Sequence, residues 1–164
     1  MRIYLSSRYS RWEEMCQVAA ELLWRGHTPV GVWYDGRYDR PDRDTNPELM
    51  TEIAKADIEG LKEAELLVFF SEKPRQWNNS RNGRQVEFGY ALAKGIPIAL
   101  IGPRENSFHY LGEDYGIAQF EHWADFVKNG LREDISCEHI SGATLISLPG
   151  QVIEESVSLP SASS

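Results

Sequence analysis

The sequence predicts a single-domain α/β protein with a flavodoxin-like, mostly parallel sheet of about five strands flanked by helices. Its 164 residues suit one domain with a proper core and are too few for two. Short apolar runs alternate with stretches of helical periodicity, the order expected of a sheet whose strands are joined by crossover helices. The run Leu66–Phe70 is apolar at every position, which is typical of a strand covered on both faces.

The first half of the chain is predicted to contain two strands and two helices. The apolar run Arg2–Leu5 predicts the first strand, and a helix follows with Ser10 as its N-cap and Gly26 as its end. Residues 27–34 predict the second strand, and residues 48–64 the second helix. Periodicity places these side chains on the inner face of the second helix: Met50, Ile53, Ala54, Ile58 and Leu61.

The second half is predicted to contain three strands and two helices. The strands are predicted over 66–70, 97–101 and 117–120, and the helices over 84–94 and 123–131. The pattern weakens after Arg132, so we expect an α/β domain over residues 1–132 and a C-terminal extension over 133–164. That extension is expected to be partly strand-like, over 140–148, and then to end in a loose tail of small polar residues.

Charge and composition limit the ligands and the compartment. With 17 basic and 25 acidic side chains the net charge is -8, and an acidic surface repels phosphate backbones, so no nucleic-acid polymer is expected as a partner. No apolar run is long enough for a bilayer and no secretory signal is evident, so we expect a cytoplasmic protein without a membrane partner. The two cysteines and four scattered histidines form no metal-binding motif, and no dinucleotide or Walker motif is present, so we expect no metal and no cofactor.

Ligands of open α/β sheets bind beyond the carboxyl ends of the strands, at the point where the strand order reverses. That rule points to Ser6–Arg8 after the first strand and to Ser71 after the third. It also points to the first turn of the helix that carries Glu87.

Glu87 is the strongest candidate for a catalytic group. Between Val86 and Ala93, all residues except Glu87 are apolar or small. Gly89, Ala91 and Ala93 would let this helix lie close to the sheet. Asn82 and Gln85 resemble a capping box at its start. A desolvated carboxylate costs free energy, which the nearby helix N-terminus partly offsets, and such a group suits a nucleophile. The alternative is an ordinary acid at a helix start with its carboxylate in solvent.

Three segments resemble the nucleoside 2-deoxyribosyltransferase-like superfamily, which includes nucleoside deoxyribosyltransferases and nucleoside 5'-monophosphate N-glycosidases. Residues 83–93, followed by Gly-Ile-Pro-Ile at 95–98, resemble the signature that contains its glutamate. Residues 3–7 resemble its first strand and nucleotide-binding loop, and residues 56–61 resemble the helix with its substrate-binding acid. The resemblance covers about residues 1–102 and extends more weakly to about residue 131.

The resemblance implies that Glu87 is a nucleophile on the anomeric carbon of a ribosyl or deoxyribosyl group. Asp57 would hold the sugar or base, or assist the leaving base, and Tyr4, Ser6 and Ser7 would line the pocket. A carboxylate suits this reaction because positive charge develops on the sugar in the transition state. Attack by water on the resulting intermediate gives hydrolysis, and attack by a second base gives exchange. The resemblance also implies a small nucleoside or nucleotide as partner and a homodimer or higher homo-oligomer.

The chain departs from the transferase pattern at two positions, where Arg81 and Arg84 replace the usual Asp and Thr. Arginine at a helix N-terminus suits a phosphate, and Arg8 and Arg11 lie just beyond the first strand, which favours hydrolysis of a nucleotide over base transfer. The alternative is that these arginines are solvated surface charges. The predicted catalytic residues are Glu87 and Asp57, and the predicted substrate-binding residues are Tyr4, Ser6, Ser7, Arg8, Ser71, Arg81, Asn82, Gly83 and Arg84.

Two further classes of protein fit the same pattern. One is a non-catalytic nucleotide-binding sensor or sequestering module, which would bind its ligand without releasing base. The other is a flavin-binding flavodoxin-like protein, against which a colourless purified protein would count.

Overall fold

The computed structural model describes residues 1–34, 45–73 and 83–131. Within these ranges five parallel strands form one sheet in the order β2-β1-β3-β4-β5. The strands are β1 (Arg2–Ser6), β2 (Thr28–Val30), β3 (Leu66–Phe70), β4 (Ile98–Ile101) and β5 (Ile117–Phe120). This is the flavodoxin-like order, with the switch point between β1 and β3, and it confirms the predicted fold class.

Helices cover both faces of the sheet. They are α1 (Trp12–Trp24), α2 (Pro47–Glu63), α3 (Gly83–Lys94) and α4 (Trp123–Asn129). On β3, the ring of Phe69 contacts Phe88 of α3, whereas the next ring, Phe70, contacts Trp123 of α4. Because successive strand residues point to opposite faces, α3 and α4 lie on opposite sides of the sheet. None of the helices in the described ranges is both long and apolar enough to cross a bilayer.

The predicted start of α1 and the predicted end of β2 are wrong. Ser10 does not cap α1, because it lies inside a short 3-10 turn, Tyr9–Arg11, that precedes the helix. The second strand ends at Val30 rather than at residue 34, because Gly31 adopts a φ of +94° and turns the chain. Beyond this turn the indole of Trp33 donates a hydrogen bond of 2.7 Å to the carbonyl of Leu5, so the chain folds back over β1.

The start of α2 and the side that it buries have identifiable causes. The Asn46 side chain accepts hydrogen bonds of 3.1 Å from two backbone N–H groups of the first turn, and Pro47 follows as the first helical residue. Met50 and Ala54, which were predicted to face inward, are exposed and instead border a shallow hollow of about 500 Å³. The buried stripe consists of Leu49, Ile53, Gly60 and Leu61.

Helix α3 also packs differently from the prediction. Only Ala91 of the three small residues faces the sheet, since Gly89 and Ala93 are exposed. The Gln85 side chain donates to Glu105 and accepts from Asn106 rather than capping the helix. Asn82 lies outside the described residues, as does the predicted C-terminal extension, so the domain boundary stays a prediction.

Candidate active site

The fold brings Tyr4, Ser6 and Glu87 together at the carboxyl end of β1. Tyr4 and Ser6 are two residues apart on a strand, so their side chains point to the same face, towards α3. The Ser6 hydroxyl donates to Glu87 Oε2 at 2.5 Å, and the Tyr4 hydroxyl donates to Glu87 Oε1 at 3.2 Å. Both oxygens of this carboxylate are therefore oriented by donors on β1.

Asp57 of α2 joins this group through Tyr4. The Tyr4 side chain is fully buried, and its hydroxyl hydrogen-bonds Asp57 as well as Glu87. Burial and the two neighbouring carboxylates raise the pKa of Tyr4 well above its usual 10.0, so the phenol stays protonated and remains a donor. The Tyr4 hydroxyl is thus a shared neighbour of the two acids predicted to be catalytic.

Glu87 is partly buried, and its pKa is raised from 4.5 to about 7. Burial contributes most, followed by the negative charge of Asp57, while the hydrogen bonds from Ser6 and Tyr4 oppose the increase. Near neutral pH the free protein therefore contains both ionised and protonated Glu87, whereas the sequence predicted an ionised group. A carboxyl with such a pKa, oriented by two donors and paired with a second acid, is typical of a catalytic position.

Arg84 lies one turn before Glu87, and its guanidinium is bound by the protein itself. It forms a two-pronged ion pair with Glu105 at 2.8 and 2.9 Å and donates to the carbonyl of Phe70 at 3.1 Å. Arg84 is only 5% exposed. This geometry differs from the expectation of a phosphate-binding group, because protein acceptors occupy the two terminal nitrogens.

Two other predicted binding residues, Arg8 and Ser71, also have protein partners, as does the neighbouring Arg11. Arg8 forms an ion pair of 2.7 Å with Glu72, and the buried Ser71 hydroxyl donates to the carbonyl of Ile101 at 2.9 Å. Arg11 binds Glu14 through two hydrogen bonds of 2.6 and 2.7 Å. Of the other residues predicted to bind substrate, Ser7 is partly buried just past β1, Gly83 is the exposed first residue of α3, and Arg81 and Asn82 lie outside the described residues.

Glu105 and His109 form a polar cluster beside the site that the sequence did not reveal. The Glu105 carboxylate, besides binding Arg84, accepts from the backbone N–H of Glu72 at 2.5 Å. The Glu105 backbone N–H donates to His109 Nδ1 at 3.2 Å, and the imidazole packs against Phe69 and Phe88. Burial, with the nearby Arg84 charge, lowers the pKa of His109 to about 4, so this ring is neutral at physiological pH.

Glu105 stands in a polar loop after β4, where a glutamate normally faces solvent. No local pattern distinguishes it from its neighbours, because its partners come from β3 and α3. The cluster fixes the first turn of α3 to the ends of β3 and β4, and it thereby fixes the turn that precedes Glu87.

Comparison with known proteins gives a match at the level of structure. Neither family models nor curated protein sequences match this chain. The solved structure of a 2-deoxyribosyltransferase from the psychrotolerant bacterium Bacillus psychrosaccharolyticus superposes with a TM-score of 0.59. The match covers 79% of this chain and 91% of that chain, at 23% sequence identity. The chain has the nucleoside 2-deoxyribosyltransferase fold.

The resemblance predicted from the sequence is thus confirmed for the fold. A CMP N-glycosidase from Clostridium botulinum is also similar, with a TM-score of 0.49 and 17% identity over 78% of this chain and 96% of that chain.

Proposed function

We propose that this protein cleaves or exchanges the N-glycosidic bond of a nucleoside or nucleotide, with Glu87 as the nucleophile. The observation that carries the proposal is the carboxylate of Glu87, oriented by Tyr4 and Ser6 at the carboxyl end of β1, with Asp57 as a second acid beside the tyrosine hydroxyl. The fold supports it, because it is similar to the fold of a 2-deoxyribosyltransferase.

The proposed reaction begins with the ionised form of Glu87. One carboxylate oxygen forms a bond to the anomeric carbon while the bond to the base nitrogen breaks, and the electron pair of that bond leaves with the base. Negative charge beside the ring stabilises the positive charge that develops on the sugar. Asp57 binds the sugar, or in its protonated form donates a proton to the leaving base.

The glycosyl ester on Glu87 is then resolved in one of two ways. Attack by water releases the free sugar and regenerates the carboxylate, which completes hydrolysis. Attack by the nitrogen of a second base forms a new nucleoside and completes base exchange. Tyr4 and Ser6 stabilise the carboxylate as a leaving group in this step, because both donate to it.

Both nucleosides and nucleotides are candidate substrates, because arginines that favoured a phosphate have partners within the protein. The sequence favoured hydrolysis of a nucleotide because of its arginines, but Arg8, Arg11 and Arg84 all bind protein carboxylates in the folded chain. The case for a phosphate now depends on Arg81 and on the backbone N–H groups at the start of α3. We therefore propose both nucleosides and their monophosphates as substrates to be tested.

A chromatographic assay tests the proposal. The purified protein is incubated with a panel of ribo- and deoxyribonucleosides and their monophosphates, with and without a second base. We expect release of free base, and a new nucleoside if exchange occurs, and we expect both to be lost in Glu87→Gln. Glu121→Gln is the matched control, because the Glu121 side chain is 85% exposed. Tight binding without release, unchanged in Glu87→Gln, would overturn the proposal in favour of a nucleotide sensor.

Assembly as a homodimer or higher homo-oligomer is proposed on the same resemblance. Light scattering of the purified chain tests it, and a monomer at assay concentrations would contradict it.

A further inference from the structure

Two glycines border the ring of Tyr4, and each approaches too closely to carry a side chain. A Cβ on Gly31 would lie 2.9 Å from Cε2 of Tyr4. A Cβ on Gly60 would lie 3.0 Å from the same ring carbon and 3.0 Å from the backbone of Gly31. Carbon atoms in ordinary van der Waals contact are about 3.5–4.0 Å apart, so neither position accommodates alanine without displacing its neighbours.

The two glycines lie at the elements that form the site. Gly31 directly follows β2, the strand beside β1, and Gly60 lies on α2 three residues after Asp57, on the same side of the helix. Close approach at Gly60 therefore sets both the distance of α2 from the sheet and the position of Asp57. The Tyr4 ring, which both glycines border, has no free space around it, since Tyr4 is fully buried.

We propose that Gly31 and Gly60 are positioning residues of the catalytic centre, which hold the Tyr4 hydroxyl within hydrogen-bonding distance of both Glu87 and Asp57. The catalytic consequence rests on the proposed function, whereas the positioning itself does not. A hydroxyl 3.2 Å from Glu87 Oε1 is near the upper limit of a hydrogen bond, so a ring shift of a few tenths of an ångström weakens the contact.

Gly60→Ala is the informative variant, because Gly60 does not adopt a positive φ and the substitution adds only a methyl group at the ring. Gly31→Ala would add backbone strain, since Gly31 has a φ of +94°. A matched control exists at Gly130, where a Cβ would lie 2.6 Å from Phe120 and 2.8 Å from Phe126. Gly130 directly follows α4, which lies on the opposite side of the sheet from α3. Gly130→Ala therefore creates a similar steric conflict away from Tyr4.

The test is a double-mutant cycle with Tyr4→Phe, which keeps the ring and removes the hydroxyl. We expect Gly60→Ala to lower kcat for base release about tenfold, with a smaller change in KM, because one oriented hydrogen bond is lost. In the Tyr4→Phe background the same substitution should change kcat by less than about twofold. Gly130→Ala should leave kcat within about twofold of wild type while lowering Tm.

A second readout separates failure of this inference from failure of the proposed function. Carbon-13 NMR of the glutamate side chains follows the pKa of Glu87 without any substrate. The change in this pKa on Tyr4→Phe isolates the Tyr4 hydrogen bond from the charge of Asp57. It should be smaller in Gly60→Ala than in wild type and the same in Gly130→Ala as in wild type.

An equal effect of Tyr4→Phe on the Glu87 pKa in wild type and in Gly60→Ala would overturn the inference, even if base release is observed in the wild type. It would also be overturned if the kcat loss persisted undiminished in the Tyr4→Phe background. Absence of base release in the wild type, together with the expected pKa change, would reject the proposed function and leave the positioning role intact.

Discussion

Glu87 is expected to destabilise the fold whenever it is ionised, and Glu87→Gln should reveal this. Its pKa rises from 4.5 to about 7 in the folded chain. At about 1.4 kcal/mol per pKa unit, this difference corresponds to about 3 kcal/mol. The folded state holds the proton more tightly than the unfolded state, so the associated stability is present below the unfolded pKa and is lost as the pH rises through about 7. Partial exposure of the carboxyl reduces the expected effect to about 2 kcal/mol.

Glutamine has a similar size and carries no charge at any pH. We therefore expect Glu87→Gln to be more stable than wild type by about 2 kcal/mol at about pH 8.5. At about pH 4.5 the two proteins should have nearly the same stability. Urea unfolding followed by tryptophan fluorescence at both pH values measures the difference in the free energy of unfolding. Glu121→Gln, which changes an exposed carboxylate, should show no such dependence on pH.

The same pH dependence of stability in Glu87→Gln and wild type would contradict this prediction. Lower stability of the variant at alkaline pH would also contradict it. Either result would mean that burial and Asp57 do not penalise the charge of Glu87, and the inference of a strained, functional carboxylate would lose its basis.

Three further predictions concern the same site. Because the ionised form of Glu87 attacks, kcat/KM should increase with pH to a plateau above about 7, and a profile that falls over this range would contradict the assignment. Ser6→Ala removes a donor that stabilises the carboxylate, so the midpoint of that profile should move to higher pH; an unchanged midpoint would show that the hydrogen bond is unimportant. Glu105→Gln leaves the buried Arg84 without its charged partner, and urea unfolding should show that the free energy of unfolding falls by about 3 kcal/mol. A decrease below about 0.5 kcal/mol would show that the ion pair is dispensable.

The parts of the fold that were predictable from the sequence are those that local hydrophobicity decides. The strands Leu66–Phe70 and Ile117–Phe120 have the predicted bounds, because an apolar run and its flanking polar residues contain the relevant information. The second strand was predicted too long, because its end depends on the contact of Gly31 with Tyr4. That contact joins Gly31, just past β2, to Tyr4 on β1, so the local sequence does not show it.

For the candidate site too, the sequence indicates some residues, whereas other contacts are decided by the tertiary structure. The family resemblance at residues 83–93, 3–7 and 56–61 directed attention to Glu87, to Tyr4 and Ser6, and to Asp57, and the structure brings these four side chains together. The arginine at position 84 was read as a ligand-binding group because the sequence does not show which carboxylate it meets. An ion pair between residues 21 positions apart is decided by the tertiary structure alone.

The most direct test of the account is to trap the glycosyl intermediate. The protein is mixed with substrate, quenched in acid within the first turnovers, and examined by intact-protein mass spectrometry followed by peptide mapping. We expect a mass increase equal to the transferred pentosyl group, or to its 5'-phosphate when the substrate is a monophosphate, on the peptide that contains Glu87. The adduct should be absent in Glu87→Gln and present in Glu121→Gln. Base release with no adduct on that peptide, or an adduct on another residue, would contradict the assignment of Glu87 as the nucleophile.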